Sequence, residues 1–501
     1  MKPFLILCCS CCLMVGCATQ DTHKKMRKSH SVTINIASEP KTLDPRHACN
    51  TAEINVVRTL CEGLVRIGPK GTATMALADS ITLSGNKKSY RIHLKETLWS
   101  NGDPLTAHDF VTTFKQALGR DLPLAANNPL LTLKNARPIQ KGALPQSFLG
   151  VHAENDYTLV LELETPLPYF VELLAHPAFF PVHPQCDFAT NFITNGPFMV
   201  TEWQHHEQLA TVKNPLYWDA LEVPLDALCM VMLDDMASYT CYKEQTLDWT
   251  GAPFSPLNPT FLTENTARQV HTDPLLGTYW IQPNANVFPL HSTALRSALA
   301  QTIDPQEIIV SVGHEGQAFS PQIRLASEGS NDEADQALQL LQEASLESQF
   351  DVDNLALTLT YPADVTNHKI AQNIKEQWTH HLGIAVQLDP LPLETYLQRM
   401  STGDYQLACG SWVADPSDPL SFLELYKARN LEQANHWESP NYQQALQESF
   451  LATETSTECD ALESTIIPLF RYNMLHVQNE HLKGVVLTDA GMIDFRWAYI
   501  E

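Results

Sequence analysis

The chain has 501 residues, a hydrophobic content of 44% and a formal net charge of −25 at pH 7. This length suits about three domains or one large α/β body, and the hydrophobic content supplies a substantial core. The acidic balance argues against nucleic acid as a partner, because phosphate recognition needs a basic face.

The first residues have the pattern of an export signal. Lys2 precedes an apolar run that is too short to span a bilayer and that ends at Cys17. We predict that residues 1–17 are a signal peptide. The polar and basic residues 18–30 predict a flexible tether between this segment and the folded body.

The first half of the chain alternates strand and helix patterns. Val32 to Ile36 alternates as a strand, Glu53 to Val65 predicts a helix, and Ser89 to Leu94 alternates again. Thr106 predicts the cap of a second helix, with Asp109 in the capping-box role. Further predicted elements are the strands Tyr157–Leu163, Phe198–Trp203 and Leu209–Val212 and a short helix at Tyr169–Leu174.

The same alternation continues after residue 277, which predicts βαβ units and a parallel or mixed sheet. The predicted elements there are a strand at Tyr279–Gln282, helices at Leu295–Gln301 and Asp332–Ala344, a strand at Leu355–Tyr361, a helix at Asn367–His381 that Gly383 ends, a strand at Ile384–Leu388 and a helix at Leu393–Met400.

Two carboxylates stand out in the stretch WVADPSDPLSF, residues 412–422. Asp418 precedes Pro419 and an apolar helical pattern, so we predict that it is a helix N-cap. Asp415 ends a largely apolar segment, and Pro416 favours an extended conformation for it. A buried carboxylate is costly without a partner, so Asp415 is a candidate for binding a cation.

Several motifs follow one another along the chain in a recognisable order. They are SEPKTLDP (38–45), LCEGLVR (60–66), WSNGDPLTAHDFVTTFKQAL (99–118), PLPYFVELLAHP (166–177), TNGPFMVTEWQ (194–204), KNPLYWDA (213–220), TIDPQEII (302–309), the region 367–422 and FRWAYI (495–500). Together they resemble the oligopeptide-binding lipoproteins of ABC transporters, whose family also includes dipeptide, murein-peptide and nickel binders. The resemblance covers nearly all of the chain after the signal.

The resemblance implies an α/β, two-lobed periplasmic-binding-protein fold of type II, in its three-domain variant, with a hinged central cleft. Domain I is then discontinuous and comprises residues 31–60, 195–276 and 481–501. Domain II is an insertion at 61–194, and domain III covers 277–480. Closure of the lobes over a ligand is the family's mechanism.

The resemblance also implies a function and a site. The chain is expected to bind short peptides and to deliver them to an inner-membrane ABC permease, without cofactor, metal or catalysis. The matching positions imply that Asp415 pairs with the ligand α-ammonium and that the ligand-lining residues are Gly410, Ser411, Trp412, Val413, Tyr279, His368 and Glu39. The end of the signal resembles a lipobox, which implies lipidation of Cys17 and a monomeric periplasmic protein anchored to a membrane.

The sequence departs from the family at the ligand carboxylate end. Members often carry an Arg three residues before the Trp, where this chain has Cys409. Arg399 lies near another basic position of the family, but not on it. A disulfide that some members have is absent, because the two matching positions are Val413 and Gly277.

Alternatives remain open from the sequence. With the same fold, the ligand is alternatively a murein-derived peptide, a dipeptide, nickel or haem. A further alternative is a surface protein that has no role in transport. An enzyme is disfavoured because the chain has no GxSxG and no HExxH motif. His205 and His206 are expected to point to different faces, and Cys229 and Cys241 leave a disulfide possible.

Overall fold

The computed structural model describes residues 30–48, 50–68, 72–119, 124, 128–167, 169–257, 261, 269–312, 319–321, 331–413 and 466–501, with the backbone alone at 319–321, 331–334, 412 and 413. The predicted signal peptide and all but the last residue of the predicted tether lie outside these ranges, as do Asp415 and Asp418. Among the helices in these ranges, none combines the length and the hydropathy that a membrane span requires.

The helices of the described part are short to medium in length. They are α1 (Thr51–Leu60), α2 (Ala107–Ala117), α3 (Ala136–Gln140), α4 (Phe170–Leu173), α5 (Asp235–Lys243), α6 (Thr293–Gln301), α7 (Pro305–Ser311), α8 (Asn331–Ser348), α9 (Val365–Leu382) and α10 (Leu393–Thr402).

The strands range from two to fourteen residues. They are β1 (Ser31–Asn35), β2 (Val65–Ile67), β3 (Ala73–Met75), β4 (Ala78–Leu83), β5 (Ser89–Leu94), β6 (Thr97–Leu98), β7 (Pro104–Leu105), β8 (Val151–Asn155), β9 (Thr158–Glu162), β10 (Phe198–Gln204), β11 (Gln208–Lys213), β12 (Ala227–Val231), β13 (Trp249–Gly251), β14 (Val270–Pro283), β15 (Phe319–Pro321), β16 (Ala356–Pro362), β17 (Ala385–Leu391), β18 (Leu407–Val413), β19 (Ile467–Gln478), β20 (Leu482–Lys483), β21 (Val486–Leu487), β22 (Ile493–Asp494) and β23 (Tyr499–Ile500).

The caps explain where several helices begin and end. The predicted capping box of α2 is confirmed: the Thr106 backbone N–H donates to Asp109 Oδ2 at 2.7 Å. Gly383 ends α9 with a φ of 70°, in the left-handed region that favours glycine. The predicted helix from Glu53 to Val65 was wrong at its end, because α1 stops at Leu60.

Long-range bonds account for that early stop. The Glu62 N–H donates to Asn195 Oδ1 at 3.1 Å, and the Asn195 amide donates back to the Glu62 carbonyl at 2.8 Å. These bonds hold the backbone after Cys61 extended, and the chain continues directly into β2.

One large mixed sheet organises the molecule. In the described part its strand order is β10-β11-β12-β1-β13-β19-β14-β18-β16-β17, and β15 also pairs with β19. A separate four-stranded sheet, in the order β4-β5-β9-β8, forms apart from it. The mixture of parallel and antiparallel neighbours agrees with the α/β class.

Buried hydrophobic residues fall into three large clusters. The first contains Val32 and Ile34 of β1 together with residues near both ends of the folded chain, such as Phe495. The second includes buried residues between Leu64 and Ile193. The third includes residues from Tyr279 to Phe470.

Strands β14 and β19 connect the first and the third of these cores. Their pairing runs from Val270 to Leu275, is interrupted by a bulge, and resumes at Thr278. On one side of the bulge β19 pairs with β13, whose Trp249 belongs to the first core. On the other side lies Tyr279, which belongs to the third. The bulge therefore lies where the two strands pass from the first core to the third.

Candidate ligand-binding site

Strand β18 carries most of the predicted site, and its two neighbouring strands pair with it over different lengths. On one side it pairs with β14 along its whole length, from Leu407 opposite Pro283 to Val413 opposite Gly277. On the other side it pairs with β16 only at Leu407 and Ala408. From Cys409 onward, this second side has no strand neighbour among the residues that the structure describes.

The register decides which residues face that second side. The Asn284 N–H donates to the Gln406 carbonyl at 2.7 Å, so these opposed residues form a hydrogen-bonded pair. Such pairs recur at every second residue of an antiparallel ladder. Ala408, Gly410 and Trp412 therefore direct their backbone groups to β14, whereas Cys409, Ser411 and Val413 direct theirs away from it.

The first of these outward carbonyls is occupied. The Tyr396 hydroxyl, from α10, donates a hydrogen bond to the Cys409 carbonyl oxygen. The outward backbone groups of Ser411 and Val413 come next along the strand. We call these groups the open edge. An exposed strand edge of this kind pairs readily with an extended peptide backbone, whatever its side chains.

Gly410 allows β18 to lie close to an aromatic ring on β14. A Cβ at this position would lie 2.5–2.8 Å from three atoms of the Trp280 indole, which is buried. Since such contacts are far inside van der Waals distance, only glycine fits here without movement of the ring or the strand.

Polar side chains of β14, α9 and β19 lie close to the end of β18, where Tyr279 is opposite Ser411. The Tyr279 hydroxyl donates to Asn367 Oδ1, and Asn367 is in turn bonded to the Asp364 cap of α9 at 2.8 Å through its N–H. The Tyr472 side chain of β19 bonds to Ser411. Burial raises the pKa of Tyr472 to about 12, which the bond to Ser411 only partly opposes, so its hydroxyl keeps its proton at neutral pH.

His368 lies next to Asn367, near the start of α9. Its Nδ1 is 2.6 Å from the Tyr361 hydroxyl, and the residue is exposed. Burial raises the pKa of Tyr361, with smaller contributions from Cys409 and Asp389. The structure thus brings the predicted residues His368, Tyr279 and Ser411 into one neighbourhood.

No cation from β18 replaces the arginine that the family often carries. Cys409 is 2% exposed, and burial raises the pKa of its thiol to about 12, so the side chain is neutral. Arg399 is already paired with Asp389, with 2.9 Å between Nη1 and Oδ2.

Glu39 lies in a different place, after the end of β1 in the first core. Its two carboxylate oxygens are 2.5 Å from His205 Nδ1 and 2.8 Å from His206 Nδ1. The expectation that these histidines point to different faces was wrong. They occupy the turn between β10 and β11, where His206 has a φ of 63° that turns both rings toward one carboxylate. Burial alone raises the pKa of Glu39, but the hydrogen bond from His205 and the charge of His206 lower it overall.

Asp415 lies outside the described residues, and so do the side chains of Trp412 and Val413. Sequence reasoning missed Tyr396, Asn367 and Tyr472, which only the register and the packing bring to β18. Within the described ranges, no three His, Cys, Asp or Glu side chains are arranged to hold a metal ion. Cys229 and Cys241 are both free thiols.

The large mixed sheet, the two strands that join separate cores and the open edge are typical of a two-lobed binding protein. Residues 72–431 match the model described as bacterial extracellular solute-binding proteins, family 5 Middle. The chain belongs to this family of extracellular and periplasmic solute-binding proteins, which confirms the resemblance and the two-lobed, three-domain α/β fold.

Curated relatives match over almost the whole chain. The oligopeptide-binding protein OppA of Bacillus subtilis (strain 168) is 30% identical, over 98% of this chain and 97% of the relative. The periplasmic murein peptide-binding protein MppA of Escherichia coli (strain K12) is 29% identical, over 90% of this chain and 89% of the relative.

Three solved structures bear on the arrangement of the lobes. The unliganded open form of the murein tripeptide-binding protein MppA has a TM-score of 0.82 at 28% identity, covering 94% of this chain and 98% of that one. The Haemophilus influenzae OppA complex with the peptide RPPGFSPFR has a TM-score of 0.66 at 25% identity, covering 94% of this chain and 99% of that one. A second structure of MppA, at 27% identity, has a TM-score of 0.67, so the lobes here are arranged more as in the unliganded open form of that protein.

Proposed function

We propose that this protein captures short peptides between its two lobes and delivers them to an ABC permease. The observation that carries the proposal is the open edge of β18, in a chain that belongs to a solute-binding family. Its relatives include proteins named for binding oligopeptides, dipeptides and murein peptides. A backbone edge suits a carrier of varied peptides, because it binds what all peptides share.

The rest of the ligand would be bound by side chains. In this proposal the Asp415 carboxylate pairs with the α-ammonium group, which must be matched by a charge when it is desolvated. Trp412 and Tyr279 form walls beside the first ligand residue. Glu39 approaches from the other lobe. The ligand carboxylate has no arginine at position 409, so His368 is the residue proposed to meet it.

Closure of the lobes is the proposed means of capture. The three clusters of buried residues support a division into domain I (31–60, 195–276 and 481–501), domain II (61–194) and domain III (277–480). The bulge that interrupts β14 after Leu275 is the proposed hinge. A peptide that contacts both lobes binds the closed state more tightly and so shifts the population toward it.

The location and state of the protein follow from the same proposal. Cys17 carries the lipid, residues 18–30 are the tether, and the protein works as a monomer at the membrane that holds the permease. We propose that it has no enzymatic activity, since the named relatives are binding proteins.

Native mass spectrometry of the purified protein tests the proposed ligand. We expect co-purified short peptides, which unfolding of the protein releases. Peptides that contain diaminopimelate would narrow the ligand to murein fragments. A cleft that is empty as purified and that binds neither peptide type in calorimetry would contradict the proposal and leave a non-transport role. Bound nickel or haem would contradict it in favour of those ligands.

A further inference from the structure

The pairing between β16 and β18 stops earlier than either strand does. The last partners are Thr360 and Ala408, although β16 continues to Pro362 and β18 continues to Val413. The point where this pairing stops is also the point where the open edge begins, so its cause bears on how a ligand is bound.

The phase of β16 identifies the missing hydrogen bond. The Ala363 N–H donates to Leu391 on the β17 side at 2.8 Å, so odd-numbered residues of β16 face β17. The backbone groups of even-numbered residues therefore face β18. The hydrogen bond from the Thr358 N–H to Gln406 Oε1, at 2.7 Å, has this direction. Continued parallel pairing would require the N–H of residue 362 to donate to the Cys409 carbonyl.

Residue 362 is a proline and has no N–H to donate. The Tyr396 hydroxyl takes the place of that donor at the Cys409 carbonyl. Tyr396 is fixed there by packing, because it is buried in a cluster with Leu391, Tyr405 and Ala408. The carbonyl is therefore satisfied within the protein. The next outward carbonyls, of Ser411 and Val413, are the first that have no strand partner in the described part of the chain.

We propose that Pro362 and Tyr396 determine specificity by fixing where ligand pairing on β18 ends. This inference rests on the proposed peptide-binding function. Pro362 stops the protein's own ladder, and Tyr396 withholds the Cys409 carbonyl from the ligand. A bound peptide then donates two amide hydrogen bonds to β18, from amides two residues apart, whichever direction it runs. A third amide, two residues further toward Cys409, finds no acceptor.

A scan of N-methylated ligands tests this. A hexapeptide that binds is synthesised with one backbone amide methylated at a time, and each version is titrated by calorimetry. For the unaltered protein we expect two sensitive amides on the side of the peptide that pairs with β18, two residues apart. Methylation of either one should lower the affinity for the peptide by about tenfold. For Tyr396→Phe we expect a third sensitive amide and an affinity for the parent hexapeptide about three- to tenfold higher.

Two further variants sharpen the result. Tyr405→Phe removes a hydroxyl from the same cluster and should leave the two-amide pattern unchanged. Pro362→Ala combined with Tyr396→Phe supplies a backbone N–H for the Cys409 carbonyl, so the third sensitive amide should disappear again. Thermal melting of each variant shows whether it is folded.

The inference is overturned if the unaltered protein already has the third sensitive amide at Cys409, a result that needs no variant. It is also overturned if Tyr396→Phe is folded and keeps the two-amide pattern. A protein that binds no peptide at all would instead overturn the proposed function, and the inference with it.

Discussion

Gly410 is a position where the size of one residue controls the geometry of the candidate site. Replacement by Ala places a methyl group against the Trp280 indole, with contacts of 2.5–2.8 Å. We expect Gly410→Ala to lower the free energy of unfolding by about 1–3 kcal/mol, as overpacking does elsewhere. Urea denaturation measures the change, and calorimetry with a bound peptide measures the loss of affinity that a displaced β18 should cause.

A double variant separates this clash from a general loss of helix or strand preference. Trp280→Leu removes the ring that meets the new methyl group. The combined Gly410→Ala, Trp280→Leu protein should be more stable than the sum of the two single effects predicts, by about 1 kcal/mol. Strict additivity would show that the ring and the methyl group do not meet.

Asp415 is the residue to which the peptide proposal assigns the ligand ammonium. Asp415→Asn should weaken binding of peptides with a free amino terminus by about 2–5 kcal/mol, because a desolvated charge loses its partner. N-acetylated peptides should lose much less. Asp418→Asn is the matched control, since its predicted cap role affects both peptide types alike. Equal losses on both types for Asp415→Asn would indicate a structural role.

At the scale of elements, three neighbouring strands carry a stack of aromatic rings beside the bulge. His476 of β19 stacks on Trp249 of β13, with 3.9 Å between ring centroids, and on His271 of β14 at 4.9 Å. Asp273, also on β14, lies 3.3 Å from His476 Nδ1. His271 and Asp273 are thus the titratable groups that face His476. Burial, with a smaller contribution from His271, lowers the pKa of His476 to about 3.

This lowered pKa predicts acid sensitivity. An unfolded chain binds a proton at His476 near pH 6.5 and the folded protein does so only near pH 3, so stability falls as the pH falls through that window. We expect a loss of roughly 2 kcal/mol between pH 6.5 and pH 5, at about 1.4 kcal/mol per pH unit. His476→Phe keeps the stack and should remove this slope in urea titrations.

The control is His381→Phe, since His381 is exposed at the end of α9 and its loss should leave the slope unchanged. Asp273 contributes with the opposite sign. Burial raises its pKa, so its charged form destabilises the folded protein, and this destabilisation diminishes as the pH falls through the acid range. An acid slope between pH 6.5 and pH 5 that survives in His476→Phe would contradict the prediction.

Local sequence patterns were sufficient to predict most helices and strands. The strand at Ser89–Leu94 and the helices α2, α6, α9 and α10 lie close to their predicted bounds, because their caps and apolar spacing are local. Strand β14 is different, since only Tyr279–Gln282 of its fourteen residues was predicted. Asp273 and Pro274 break its pattern, and the strand is stabilised instead by pairing with β19, nearly 200 residues away in sequence.

At the scale of the whole molecule, one buried ion pair joins segments from both ends of the chain. Glu62 Oε1 is 2.6 Å from Arg496 Nη1, with 2% and 3% of the side chains exposed. Glu62 Oε2 also accepts hydrogen bonds from the Tyr217 hydroxyl at 2.8 Å and the Trp218 indole at 2.6 Å. Burial alone lowers the pKa of Arg496, but Asp494 and Glu62 raise it overall, so the guanidinium stays charged.

Removal of one charge from this pair should be costly. Glu62→Gln leaves the buried Arg496 cation poorly matched, so we expect the free energy of unfolding to fall by about 3–5 kcal/mol. Glu162→Gln is the control, because its pair with Lys134 has 38% and 51% of the side chains exposed and should contribute less than about 1 kcal/mol. Urea midpoints that shift equally in the two variants would contradict this assignment.

The family and the two-lobed fold could be predicted from motif order, whereas the chemistry of the site was only partly visible. The segment 410–413 and Tyr279 were identified from the sequence, and the structure places them on paired strands. The outward direction of Ser411 and Val413 depends on a register fixed by Gln406 and Asn284. The donor that replaces Pro362 comes from a helix side chain, and no local pattern marks such a contact.

The missing N–H of Pro362 has a consequence for the protein in solution as well. A long unpaired strand edge is a template on which copies of a protein aggregate. Between Leu407 and Val413, the β16 ladder covers the first residues and Tyr396 covers the next carbonyl. Only Ser411 and Val413 then have outward backbone groups without a strand partner in the described ranges. In this stretch a neighbouring copy would find too few rungs to make a lasting sheet.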